Sequence, residues 1–323
     1  MHEGSRRAVV AALLANLGIA AVKLAVFLVT GAASMLAEAI HSFADTGNQG
    51  LLFLGGNRAR RAPTPEHPFG FGSERYFWAF VVAVMLFTLG ALFALLEGAE
   101  RMVHPQSVSS PGWALGTLVA AMVLESLSFR TGTQEARKLK RPGWTWFDFI
   151  HRSTNPEITV VLLEDSAALV GLVFAFAGIV LAWITGNDRF DAGGSIAIGL
   201  LLGVVAVVLA SEMQSLLIGE SAGPAREQRI RDAMADGPEV RRVIHLRTLV
   251  LGPEELLVAA KLDIVAPSIA ELAAAIDTIE ARVRRAVPTA RVIYIEPDLY
   301  RDATPSEDGG IRDDQSSRRS SER

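Results

Sequence analysis

The sequence predicts a membrane protein: an all-α bundle of six transmembrane helices followed by a small cytoplasmic α+β domain of ferredoxin-like type. Three observations predict it. Of 323 residues, 50% are hydrophobic, and they gather in long blocks instead of alternating with charge. Six of those blocks are long enough to cross a bilayer as helices. After Gly219 the chain turns polar and reads as short elements in the order α-β-β-α-β. The expected division is 1–219 for the bundle, 220–300 for the α+β domain and 301–323 for a disordered tail.

The spans are expected at about Ala8–Val29, Ser34–Gly56, Phe77–Glu97, Trp113–Phe129, Ile158–Ile184 and Gly193–Ile218. Thr30-Gly31 is a tight turn, so the first two spans form a hairpin. The start, Met1–Arg7, reads as retained because the apolar run behind it is too long for a signal peptide. One set of loops carries Arg6, Arg7, Arg58, Arg60, Arg61, Arg75, Arg130, Arg137, Lys138, Lys140, Arg141 and Arg152, whereas the other has only Arg101 and Arg189. By the positive-inside rule both termini are cytoplasmic. The excess of arginine over lysine, with no transit peptide read at the start, places the protein in a bacterial inner membrane. Loop 140–156 holds Trp144, Trp146, Phe147 and Phe149, which predicts a short interfacial helix; its functional alternative is a gate over the mouth of the bundle.

Beyond Gly219, Pro224–Pro238 reads as a helix ended by Asp236-Gly-Pro238. Val240–Val250 and Leu256–Val265 read as strands joined by a turn. Ser268 with Glu271 forms a capping box for a helix Ile269–Arg285, and Arg291–Glu296 is the last strand. From Arg301 the chain is rich in Ser, Arg and Asp, a composition that does not bury a core.

Chemistry concentrates in the second span. Glu38, His41, Asp45 and Asn48 follow one another at intervals of three, four and three, so they share one helix face, with Gln49 beside them. Ionisable groups at membrane depth are costly and mark ion or proton routes. His41 and Asp45 stand one turn apart and can reach a single metal ion. In the fifth span Glu164 and Asp165 are the only acids in a long apolar run, pointing about 100° apart; one can join a central site while the other faces a neighbouring helix. The set offers one imidazole and up to three carboxylates, suited to Zn²⁺ and also to Mn²⁺, Fe²⁺ or Co²⁺. The plain alternative is a buried hydrogen-bond network without metal. No cysteine is present, which excludes disulfides and thiolate metal sites. Lys23 and Glu125 are intramembrane charges, and Lys23 is expected either to snorkel to an interface or to pair with a carboxylate. Glu97 and Glu100, near the outer end of the third span, read as capping or solvated groups, with metal release as the functional alternative, and Asn16 as an interhelical donor.

Ala37-Glu-Ala-Ile-His-Ser-Phe-Ala-Asp-Thr-Gly-Asn-Gln49, His67-Pro-Phe-Gly-Phe-Gly72 and Glu97-Gly-Ala-Glu-Arg101 resemble the cation diffusion facilitator family of metal transporters. Lys23, the six spans and the terminal α+β domain fit the same pattern. Leu163-Glu-Asp-Ser-Ala-Ala-Leu-Val-Gly171 looks most like the subgroup containing mammalian zinc transporter 9. The resemblance implies a homodimer in the lipid bilayer, its α+β domain dimerising, that exchanges a divalent metal for protons, usually out of the cytosol. It implies neither an enzyme nor a nucleic-acid partner, and no cofactor beyond the transported metal.

The family's tetrahedral site takes two ligands one turn apart on the second helix, matched by His41 and Asp45, and two on the fifth. There the chain departs from the pattern. Aligning Asp165 with the second of the two puts Val161 at the first, and aligning Glu164 with the first puts Ala168 at the second. The expected ligands are therefore His41, Asp45, Asp165 and Glu164, completed by Asn48 or water, with Glu164 as ligand or proton carrier. His67 falls where relatives place a second site, but Phe71 replaces its partner, so no full site is expected there. His245 is the only histidine after His151, with Lys261 and Ile295 where others would stand, so no regulatory cluster is expected either. Two readings compete from other classes. A non-transporting scaffold is one; an intramembrane hydrolase is the other, and it lacks a His-Glu-x-x-His pattern.

Overall fold

The computed structural model describes residues 3–108 and 110–301, the side chains of residues 3–16 excepted. Asn16 as a donor and the tail from residue 302 lie outside the described residues. Helix α1, Glu3–Thr30, turns at Gly31, whose φ of 68° suits glycine, into α2, Ala33–Arg58. Helix α3 spans Glu74–Val103, longer at both ends than expected, with a π-helical stretch at Leu86–Leu92. Helix α4 follows at Pro111–Leu139 and the short α5 at Trp146–Arg152. Two long helices complete the bundle, α6 at Pro156–Thr185 and α7 at Arg189–Ile218.

Among the described residues four helices, α3, α4, α6 and α7, are long and apolar enough to cross a bilayer. In α1 the described apolar stretch is Leu17–Thr30. Helix α2 is long enough but less apolar, because it carries the polar stripe from Glu38 to Gln49. Its stripe is nonetheless inside: Glu38, His41 and Asn48 are buried, whereas Trp183, Leu200, Val204 and Val207 face outward as a lipid-facing surface requires.

Glycines let the helices meet closely. A Cβ on Gly178 of α6 would lie 2.9 Å from the Phe190 carbonyl oxygen, and one on Gly199 of α7 would lie 2.7 Å from Leu95. Small residues permit this backbone approach where lipid offers no hydrophobic drive. The α1–α2 turn is tied from two sides. The Asp191 carboxylate accepts from the Ala33 amide at 2.6 Å, from the Ser34 amide at 3.3 Å and from the Ser34 hydroxyl. Arg101 Nη1 donates to the Gly31 carbonyl at 2.5 Å while its Nε holds Glu97 at 2.8 Å. Asp191 thus satisfies amides that α2 would otherwise leave open at its start.

The aromatic loop contains the expected short helix, α5. Thr145 and Asp148 form its capping box, Phe149 turns inward and Phe147 outward. The terminal domain has the expected order: α8 at Pro224–Ala235, β1 at Val240–Gly252, β2 at Glu255–Ile264, α9 at Ile269–Ala286 and β3 at Ala290–Pro297. The sheet order is β1-β2-β3, β1 antiparallel and β2 parallel to their next neighbours. The Glu271 amide donates to Ser268 Oγ at 3.2 Å, as its cap requires. Ile230, Met234, Ile279 and Val283 pack onto Val258 and Leu262 to make the core. The domain meets the bundle where Ser73 Oγ donates to the Leu251 carbonyl at 3.3 Å, on the side where α2 ends.

Candidate metal centre

Helical spacing sets His41 and Asp45 one turn apart on the buried face of α2. His41 is 1% exposed, and neither of its ring nitrogens has a hydrogen-bond partner among the described residues. Its Nδ1 stands 3.5 Å from Asp45 Oδ1, too long for a hydrogen bond, and that oxygen is unpartnered too. Asn48, one turn on, donates its amide to Glu164 Oε1 at 2.6 Å and leaves its own oxygen unpartnered. Of seven buried side-chain atoms without a partner among the described residues, five lie on this one helix. Buried polar groups are normally satisfied, so such a row marks something other than packing.

Glu164 and Asp165 diverge as their adjacency predicts. Glu164 is buried against α2, while Asp165 turns to α4 and accepts from Ser128 Oγ at 3.1 Å. Both line one small cavity of about 60 Å³ together with Asp45, Ser42, Gln49 and Glu125. Asp45, Glu164 and Asp165 therefore surround a common space, and His41 backs Asp45. Among the described residues no three His, Asp or Glu side chains stand close enough together to hold a metal ion. Closing the set would need the α2 and α6 groups to draw in.

Glu125 is the acidic lining residue that sequence reasoning did not assign to the centre. A signal existed: it is a lone acid in the fourth span, three residues before Ser128. Asp191, the anchor of α2, was missed because its partner lies 157 residues away. Of the two expectations for Lys23, pairing is the one found, with Glu38 at 3.1 Å. His67 sits exposed in its loop, its ring centroid 4.6 Å from that of Phe71. His245 lies opposite Lys261 on the hairpin. Lys261 pairs with Glu296 and Asp298, each at 3.1 Å, and these hydrogen bonds raise its pKa.

A profile for the cation efflux transmembrane domain matches residues 9–218. The chain is 36% identical over 242 residues to the Xenopus laevis proton-coupled zinc antiporter SLC30A9, mitochondrial, covering 75% of this chain and 43% of that protein. The human protein of the same name is 35% identical over the same shares. Metal tolerance protein C4 of Arabidopsis thaliana is 32% identical, with 80% of this chain and 57% of that one covered. The chain thus spans less than half the length of the SLC30A9 proteins it matches.

These relatives overturn one expectation. They are named as mitochondrial proteins of vertebrates and a tolerance protein of a plant, so the placement in a bacterial inner membrane falls. Loop charge reports the side from which a helix hairpin inserts and carries no address for the membrane itself. What stands is an integral membrane protein whose faces are identified by where the terminal domain lies. The matched profile and the identities make the chain a member of the cation efflux, or cation diffusion facilitator, family, close to the SLC30A9 subgroup.

Proposed function

We propose that this protein is a proton-coupled antiporter that carries a divalent metal cation, Zn²⁺ first among them, across the membrane away from the face bearing the terminal domain. The observation that carries this reading is the unpartnered His41–Asp45 pair buried on α2, beside the cavity shared by Asp45, Glu164 and Asp165. The printed names of the relatives, zinc antiporter and metal tolerance protein, support it.

Imidazole and carboxylate bind metal only when deprotonated, so an arriving cation expels protons and returning protons expel the cation. His41, Asp45, Glu164 and Asp165 act as ligands in this scheme, with Asn48 holding Glu164 in place and Glu164 able to carry the returning proton. In this reading α1 and α2 join the four apolar helices to make six spans over residues 1–219. Residues 220–300 form a ferredoxin-like domain through which two copies pair. The role is that of a carrier, not an enzyme. A donor set with one imidazole and three carboxylates also suits Mn²⁺, Fe²⁺ or Co²⁺, so metal identity is part of the test.

The full chain in sealed liposomes with an imposed pH gradient decides. Uptake of Zn²⁺, Mn²⁺, Fe²⁺ and Co²⁺ is compared for wild type, Asp45→Ala and Asp165→Ala. The expected result is gradient-dependent Zn²⁺ uptake that falls to background in Asp45→Ala and is strongly reduced in Asp165→Ala, both variants remaining folded. Wild-type flux in Asp45→Ala sinks the site. No flux of any ion by folded protein leaves a membrane scaffold instead.

A further inference from the structure

Seven residues before Asp45, toward the α1–α2 turn, lies a polar group that the metal centre does not use. Lys23 of α1 is 1% exposed and Glu38 of α2 is 0% exposed. The Lys23 ammonium stands 3.1 Å from Glu38 Oε2 and donates to Ser42 Oγ at 2.8 Å. Glu38 Oε1 has no partner among the described residues. Opposite it stands Gly171 of α6, where a Cβ would lie 3.0 Å from that oxygen. Any other residue there would crowd the free side of the carboxylate.

The placement relative to the metal centre is regular. Gly171 is seven residues beyond Glu164 on the same face of α6, and Glu38 is seven before Asp45 on α2, a rise of about 10 Å in each helix. Ser42 belongs to both groups, since it lines the cavity with Asp45 and also holds the ammonium. Polar side chains therefore connect the two: Asn48 holds Glu164, Glu164, Asp45 and Ser42 line one cavity, and Lys23 joins Ser42 to Glu38.

An ion pair kept only for structure would have both carboxylate oxygens satisfied, and apolar side chains of similar size would serve as well. Here a buried carboxylate and a hydroxyl hold a cation that the chain itself supplies, with one oxygen left open. Oxygens of this kind suit a divalent ion as well as an ammonium. We infer that Glu38 with Ser42 is a transient station for the transported divalent cation on its way to the face opposite the terminal domain. The Lys23 ammonium fills that station as a tethered cation whenever the ion is absent. The ion displaces the ammonium as it arrives, and the ammonium, fixed to α1, returns as the ion leaves. The inference rests on the transport reading above.

The test is a binding measurement, so it stands apart from flux. Zn²⁺ bound per chain is measured by titration calorimetry on the purified full chain in detergent. Lys23→Met is expected to bind one more Zn²⁺ per chain than wild type, and Lys23→Met/Glu38→Gln is expected to lose that extra ion. Lys23→Arg keeps the wild-type stoichiometry. An unchanged stoichiometry in folded Lys23→Met overturns the inference, whatever the liposomes show. Should Lys23→Met not fold, the wild type decides through acetylation of Lys23 by acetic anhydride, read by mass spectrometry. Labelling at background without metal and severalfold higher under Zn²⁺ turnover supports the station. Labelling that does not change with metal overturns it. Absent flux in the wild type counts against the transport reading alone.

Discussion

Asn48 touches the candidate metal centre through one contact, its 2.6 Å hydrogen bond to Glu164, and that contact fixes where the carboxylate points. Groups that orient a ligand typically carry about 10–100-fold in metal affinity. Asn48→Ala is therefore expected to weaken Zn²⁺ binding by about that factor while leaving the fold intact, as calorimetry on the purified chain would show. Equal affinity would mean that Glu164 is not a ligand. At this scale much of the site was legible, because Glu38, His41, Asp45 and Asn48 interrupt an apolar run at helical spacing, which packing alone does not ask for. Glu125 escaped because a lone acid in a helix gives no direction, and its place at the cavity is settled only when α2, α4 and α6 come together. The candidate ligands on α6 were legible as residues but not as an arrangement: adjacency says that Glu164 and Asp165 diverge, and only the neighbours say to what.

Among the elements, α2 depends on a residue far along the chain. Removing the Asp191 carboxylate leaves the Ala33 and Ser34 amides unsatisfied inside the protein, at a cost of about 1–3 kcal/mol for a buried group left without its partner. Asp191→Ala is thus expected to lower the unfolding temperature in detergent, whereas Asp277→Ala, at an exposed position on α9, should not. Packing between α6 and α7 sets a stricter limit. Gly178 faces a backbone oxygen that cannot swing away, so Gly178→Val is expected to prevent recovery of folded protein, measured by size-exclusion chromatography after expression. The helices and strands themselves were legible from periodicity and capping. The π-helical stretch at Leu86–Leu92 was not, since its residues keep the same apolar character as the α-helical turns around it. The α1–α2 clamp was also hidden, because nothing local links positions 33 and 191.

For the molecule as a whole, the terminal domain ties its central strand β2 to the end of β3 through Lys261, Glu296 and Asp298. The hydrogen bond from Lys261 holds the Asp298 carboxyl below its usual range, and the same contacts raise Lys261. A depressed carboxyl stabilises the fold above its unfolded pKa, about 3.9, and that gain is lost as pH falls through the folded value. A raised lysine stabilises below its unfolded pKa, about 10.4, and the gain is lost as pH rises through the folded one. Protection of the β2–β3 ladder amides, taken as their exchange rate relative to the unstructured chain at the same pH, is therefore expected to hold between these limits and to fall in acid, with Lys261→Met removing the acid step. The order of elements in this domain was readable from its caps and turns. The membrane of residence was not, because loop charge speaks of sidedness and the relatives alone speak of place.

The ties at the α1–α2 turn have a mechanical meaning. Helix α2 is pinned at its start by Asp191 and Arg101, while its other end runs into the loop that abuts the sheet at Ser73 and Leu251. A rod fixed at one end is a lever, and its fulcrum here lies on the face opposite the sheet. His41 sits eight residues from Ala33 and Arg58 sits twenty-five, so at 1.5 Å per residue the arms are about 12 Å and 37 Å. A swing of about 3 Å at the sheet-bearing end thus reaches His41 as about 1 Å, a gearing down by about three that turns a coarse movement at the sheet into a fine one at the buried face of α2.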